Sequence, residues 1–148
     1  AGPLESELRA SAAKLNMMDH VDFLGMVPQS ELPSLYQQAT MAAFPFVVTK
    51  SGVQEGFGLV VVEAMGCCCP VIAGDLPAIQ DTVVHEENGL IFPSGSSQAL
   101  ADSIIKLLDD PELRARLAEE GRKSVVRNFD WEIIAGRYAE IYGKLIQT

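Results

Sequence analysis

The sequence predicts an α/β fold: an open parallel sheet with helices on both faces and a helical C-terminal end. Three observations predict it. Short, continuous apolar runs at residues 41–46, 69–74 and 89–93 read as buried strands. Segments of helical character lie between them, the βαβ alternation of a parallel sheet. From Ser97 onward helical periodicity dominates. The 148 residues, 48% hydrophobic and 21% charged, suit a single domain with a real core and exclude a disordered tail or a disulfide-stapled mini-protein.

Each element has a local reason. Residues 4–15, opened by Pro3 and rich in Leu, Ala and Glu, predict a helix. Residues 21–25 predict a short strand, with Val27-Pro28 as the turn leaving it. Ser30 is placed to cap a helix running through Gln38, with Pro33 in its first turn. After the strand at 41–46 comes a polar, glycine-containing loop at 49–56. A helix over 76–84 separates the strands at 69–74 and 89–93. Ala99, Leu100, Ile104, Leu107 and Leu108 mark the next helix, followed by helices over 113–126 and 131–146. Asn128-Phe129-Asp130 breaks the last two, with Asp130 as N-cap. There is no internal repeat, low-complexity stretch or linker. In such sheets ligands bind beyond the carboxyl ends of the strands, which directs attention to the loops after 41–46 and 69–74.

Charge narrows the partners. The net charge of −9 argues against nucleic acid or an anionic membrane surface. Between Leu15 and Ile105 stand one basic residue, Lys50, and ten acidic ones. An anionic ligand bound there needs backbone N–H groups or cations supplied from elsewhere. No apolar run approaches the roughly 20 residues of a membrane span; the richest, 59–74, is interrupted by Glu63 and Pro70. Cys67, Cys68 and Cys69 are adjacent, without the second cluster a zinc site needs, and read as small buried thiols in a reducing cytosol. With no signal-like segment and a first residue, Ala1, that is not Met, a trimmed chain is expected. The expected location is the cytoplasm, with the full-length protein able to lie peripherally at the inner membrane face. His20 and His85 read as loop or surface residues, and Tyr36 and Trp131 as core. The charged run with Glu112, Arg114, Arg116, Glu119, Glu120, Arg122 and Lys123 reads as a solvated helical face.

The stretch from Glu55 to Met65 carries the chemistry. Val60, Val61 and Val62 favour a strand by propensity. The glycines before them and Glu63-Ala64-Met65 after them favour a loop entering a helix, which is the assignment made. From Phe57 to Cys69, Glu63 is the only polar side chain. A helix apolar all round is expected to be buried all round. Glu63 is then satisfied either by an internal hydrogen bond or by a hydroxyl-bearing ligand in a cleft. Glu55, eight residues earlier, reads as a loop carboxylate at the helix N-terminus or as a ligand contact. Gly56 and Gly58 permit close backbone approach, and the helix N-terminus offers N–H donors to an anion.

Glu55 and Glu63 with seven residues between them, set among Ser51, Gly56-Phe57-Gly58-Leu59-Val60, Ala64-Met65 and Pro70-Val71, resemble the E-x7-E signature of retaining GT-B glycosyltransferases of family four. Val21-x-Phe23-Leu24-Gly25-x-Val27, Glu31-Leu32 with Leu35-Tyr36 and Ala39, Asn88-Gly89-Leu90 with Pro93, and Phe129-x-Trp131 are similar to that family's residues as well.

The resemblance implies a Rossmann-like, donor-binding C-terminal half of a GT-B enzyme, partial at its start. It implies that Glu55, as the catalytic residue, accepts hydrogen bonds from hydroxyls of the transferred sugar. Glu63 would take the ribose hydroxyls. The backbone at Gly56, Phe57, Gly58 and Leu59 would face sugar and diphosphate, and that at Met26 and Val27 the base. The co-substrate is a nucleotide-sugar carrying a hexose-type sugar; no metal or other cofactor is implied. Cys68 stands where the family usually has glycine. The family's basic pair at the diphosphate, two strands and the acceptor-binding domain lie outside this chain. The acceptor, a glycan, lipid or small molecule, is therefore expected to bind elsewhere, and the isolated chain to be inactive. An unpaired sheet edge is expected to favour self-association. A non-catalytic nucleotide-binding or assembly module of the same fold is the alternative, and a sugar-phosphate phosphorylase a third.

Overall fold

The structure is a computed structural model that describes residues 2–49 and 51–146. Ala1 and Lys50, the lone cation of the middle segment, lie outside the described residues. The chain divides into two compact units, Ala1–Leu32 and Pro33–Thr148.

In the first unit, α1 (Glu5–Lys14) forms where its composition predicts it. The Arg9 guanidinium bonds the Glu5 carboxylate at 2.7 Å and lies 4.2 Å from the centre of the Phe23 ring. A 3-10 turn at Met18–His20 follows. The strand expected at 21–25 does not form. Val21 is extended, at φ −131° and ψ 116°, but the residues beyond it pair with no strand among the described residues. A strand needs a ladder partner, and this unit supplies only helix and turn. The turn at Val27-Pro28 is present, closed by the Glu31 N–H donating to the Pro28 carbonyl at 2.9 Å.

Helix α2 (Leu32–Gln38) begins at the boundary, with Pro33 in its first turn as predicted. In the second unit β1 (Ala42–Phe44), β2 (Val71–Gly74) and β3 (Leu90–Phe92) form a parallel sheet in the order β1-β2-β3. Ala42 pairs with Val71, and Ile72 with Leu90. The strands are shorter than their apolar runs because Pro45, Pro70 and Pro93 border them and proline cannot donate to a ladder.

Helices cover both faces, as the sequence predicts. Val71 and Ala73 of β2 point into one cluster with Val61, Ala64 and Met65 of α3 (Leu59–Gly66) and Ile79 of α4 (Pro77–Gln80). Ile72, between them, points the other way into a cluster with Leu90, Phe92, Leu107 and Leu117. The last two belong to α5 (Ser97–Asp109) and α6 (Pro111–Asn128). This is strand alternation with both sides buried.

Helix α4 stops short of the predicted 76–84. The Val84 N–H bonds the Asn88 side-chain oxygen at 2.7 Å, and the Asn88 amide donates to the Thr82 carbonyl at 3.1 Å. One side chain thus takes backbone groups that a continued helix would have paired. The later helices open on side-chain caps: Ser96 for α5, Asp110 for α6, and, as the sequence predicts, Asp130, whose carboxylate accepts from Glu132 N–H at 2.9 Å, for α7 (Trp131–Ile146). The solvated face of α6 carries Lys123 between Glu119 and Glu120, at 2.7 and 2.9 Å. Trp131 departs from its predicted core position and is 82% exposed. Both sheet faces are already covered, and none of the described residues of α7 is buried.

Candidate functional site

The loop after β1 returns to the carboxyl end of the sheet at Glu55 and enters α3 there. Gly58, the residue before α3, is buried and left-handed at φ 75°. A Cβ on it would stand 2.7 Å from Ile79 Cδ1 and 4.0 Å from Phe46 Cε2. Gly74, at the end of β2, passes as close: a Cβ there would lie 2.6 Å from the Phe46 carbonyl. Two glycines therefore let the loops after β1 and β2 meet where the parallel strands end. Here the run of valines is helix, because Gly58 turns the chain and Val61 finds the core between β2 and α4.

Glu55 occupies the tip of that helix. Its Oε1 accepts the N–H groups of Gly56 at 3.0 Å, Phe57 at 3.1 Å and Gly58 at 3.0 Å. Those bonds, led by the one from Gly58 and then that from Phe57, hold the Glu55 carboxyl below its ordinary 4.5, against a smaller opposing effect of desolvation. None of the three uses Oε2. Of the amides expected to face a donor, those of Gly56, Phe57 and Gly58 are therefore already bonded within the chain. The N–H of Leu59, in the first turn of α3, meets no acceptor among the described residues, as expected of a helix start.

Glu63 lies about 6 Å along the axis from Leu59, at roughly 1.5 Å per residue. The expectation that α3 is buried all round fails. Val61, Ala64 and Met65 are buried, whereas Leu59 is 64% and Val60 39% exposed. Glu63 stands one turn from both, half-buried. The apolar run serves two surfaces: one packs on the sheet, and the other presents an open face running from Glu55 past Leu59 and Val60 to Glu63. Tyr36, packed against the core, lies within reach of the Glu63 charge; burial first, then that charge, raises the Tyr36 phenol above its ordinary 10.0. The sequence reading placed Tyr36 in the core but missed its nearness to Glu63, which no motif announces.

The other predicted residues are distributed as follows. Met26 and Val27 lie in the first unit, Met26 90% exposed and Val27 partly buried. Phe57 is 43% exposed. The cysteines depart from the buried reading: Cys69 is buried, Cys67 half-buried and Cys68 exposed. They stand where α3 ends, and Cys68, at φ 58°, turns the chain away from the helix. Burial, then the neighbouring Cys67, pushes the Cys69 thiol up to about 11. His20 and His85 are both at the surface, and His85 Nδ1 accepts from Ile91 N–H at 3.0 Å. Among the described residues no group of His, Cys, Asp or Glu side chains is arranged to hold a metal ion, and no helix is long and apolar enough to cross a membrane.

The chain is similar to known proteins over most of its length. The model of the family described as glycosyl transferases group 1 matches residues 1–124. A phosphatidyl-myo-inositol mannosyltransferase of Mycobacterium leprae is 35% identical over 93% of this chain and 35% of its own length. A GDP-mannose-dependent alpha-(1-6)-phosphatidylinositol monomannoside mannosyltransferase of Mycobacterium tuberculosis is 33% identical over 94% of this chain and 36% of its own. The chain thus spans about a third of the length of the curated relatives it matches. Among solved structures, a sucrose-phosphate synthase from Thermosynechococcus elongatus superposes with a TM-score of 0.85 at 34% identity, over 99% of this chain and 35% of that one. Anabaena HepE in complex with UDP does so at 0.84 and 29%, over 94% of this chain and 36% of that one.

Proposed function

Because the chain belongs to the group 1 glycosyl transferases and shares their GT-B fold, we propose that it is the nucleotide-sugar-binding part of a retaining glycosyltransferase. The observation that carries the proposal is the Glu55 carboxylate, fixed by three amides at the tip of α3, with Glu63 one turn along the open face of the same helix. Glu55 is held ionised, and its Oε2 faces no competing bond from those amides. It is suited to accept hydroxyls of a hexose and to sit beside a sugar that becomes positively charged as its glycosidic bond breaks. It is not suited to be a general acid, since its carboxyl is kept below the ordinary range. Glu63 takes the ribose hydroxyls. The Leu59 N–H and the positive end of α3 receive the diphosphate as its charge grows.

The relatives' names support a nucleotide-linked hexose: the mycobacterial enzyme is GDP-mannose-dependent, and HepE was solved with UDP. In this reading the acceptor is held by a domain outside this chain, and no metal takes part. The protein works in the cytoplasm, at the membrane surface where its acceptor is a lipid. The outer edge of β1, which pairs only with β2 among the described residues, offers a surface for self-association.

A binding module without transfer is the second reading. One observation favours it: the Phe57 and Gly58 amides are already engaged by Glu55. One experiment separates the two. In the full-length protein, Glu55→Ala is expected to lower sugar transfer by about 100-fold or more while nucleoside diphosphate binding persists. Unchanged transfer would remove Glu55 from the catalytic role. Diphosphate binding with no transfer by the parent protein from UDP-, GDP- or ADP-sugars would leave the binding module.

A further inference from the structure

The Phe129-x-Trp131 pair has no part in the chemistry above, yet Phe129 reaches the donor loop. Its ring meets that of Phe57 edge-on, with centroids 5.9 Å apart and planes at 71°. This is the favourable edge-to-face geometry for two aromatic rings. Phe57 is the middle residue of the three whose amides hold Glu55. Phe129 is itself fixed on both sides. Its N–H donates to the Val125 carbonyl at 2.8 Å, ending α6, and Asp130 beside it caps α7. Further back, α6 is pinned to the core around α3: a Cβ on Gly121 would lie 3.5 Å from Met65, and Val125 packs against the α3 cluster. Phe129 thus links the end of α6, which is anchored on the core, to the Glu55 turn. Within that turn Gly58 is buried against Ile79, whereas Phe57 is exposed and a Cβ on Gly56 would meet nothing within 4 Å.

We infer that Phe129 is a positioning residue for the donor site, holding the Glu55–Gly58 turn through the Phe57 ring and so tying the α6–α7 junction to the residue that contacts the sugar. The inference rests on the donor-binding reading. Displacement of Phe129, by movement of α7 or by substitution, releases Phe57, loosens the three amides and lets Glu55 swing from its fixed place.

The test uses the full-length protein and two readouts. The first is the pH at which the amide resonances of Gly56, Phe57 and Gly58 respond to Glu55 titration. The second is calorimetric affinity for the nucleotide-sugars UDP-glucose and GDP-mannose. Phe129→Leu keeps the bulk but loses the ring edge; the amide response is expected to move upward in pH and affinity to fall roughly two- to tenfold. Phe129→Tyr is expected to restore both, and Phe57→Leu to reproduce the defect. In a Phe57→Leu background, Phe129→Leu should add nothing further. An unchanged amide response in Phe129→Leu, or a full additional effect in the Phe57→Leu background, would overturn the inference. Absence of UDP-glucose and GDP-mannose binding by the unsubstituted protein would instead overturn the donor reading, and the amide response would still decide the coupling.

Discussion

Arg122 donates a hydrogen bond from its guanidinium to the Gly66 carbonyl, at the C-terminal end of the helix whose other end carries Glu55. Helix α3 is therefore bracketed by opposite charges in the favourable sense, an anion at the positive end and a cation at the negative end. The arrangement is assembled from distant parts of the chain, since Arg122 belongs to α6.

Removing the cation should weaken the helix modestly. Arg122→Ala is expected to cost about 0.5–1 kcal/mol, a value kept small by solvent exposure of the pair. Arg122→Lys should recover part of it. Urea unfolding of the three proteins measures the difference, and equal midpoints would deny the cap a role in stability.

The Glu55 turn should respond to acid with a defined sign. The carboxyl is lower in the folded protein than its ordinary 4.5, so the unfolded chain binds the first proton. The stabilisation is complete above about pH 4.5 and is lost as pH falls through the folded value. Carboxyl-carbon NMR should find Glu55 titrating below the bulk of the glutamates, and Glu55→Gln should flatten that part of the stability curve. A midpoint at or above 4.5 would contradict the three amide bonds.

Gly58 should tolerate no side chain. Alanine would have to hold φ 75° and place its Cβ 2.7 Å from Ile79, which is itself fully buried. The two costs together amount to about 2–4 kcal/mol. Chemical denaturation of Gly58→Ala reads the loss directly, and a change under about 1 kcal/mol would mean that the turn is not held as described.

The three thiols should react in order of exposure rather than together. Cys68 is exposed, Cys67 half-buried, and Cys69 buried with its thiol pushed up to about 11. At pH 8, timed alkylation followed by mass spectrometry should label Cys68 first and leave Cys69 until unfolding. Early labelling of Cys69 would show that the β2 end of the core opens readily.

Much of the fold was legible because its signals are local. The three sheet strands, the cap at Asp130, and the helical C-terminal end follow from apolar runs, prolines and short polar side chains acting on adjacent backbone. The misreadings share one cause. Residues 21–25 have strand composition but no ladder partner, and α4 ends early because Asn88, a residue beyond it, takes its backbone groups. Trp131 looks like core, yet the core was complete without it. In each case the deciding group is one that the local pattern does not contain.

What the sequence by itself determined is the alternation of elements and the spacing that puts one carboxylate just before a glycine-led helix and a second within it. Covalent order and helical geometry suffice for both. Only the tertiary structure decided that Glu55 turns back onto the amides of Gly56, Phe57 and Gly58, that half of the apolar helix stays open, and that Phe129 touches Phe57. Those outcomes depend on which surfaces meet when the sheet is covered. Hydrophobic burial is non-directional, so the pattern says that a face is buried but not which neighbour buries it.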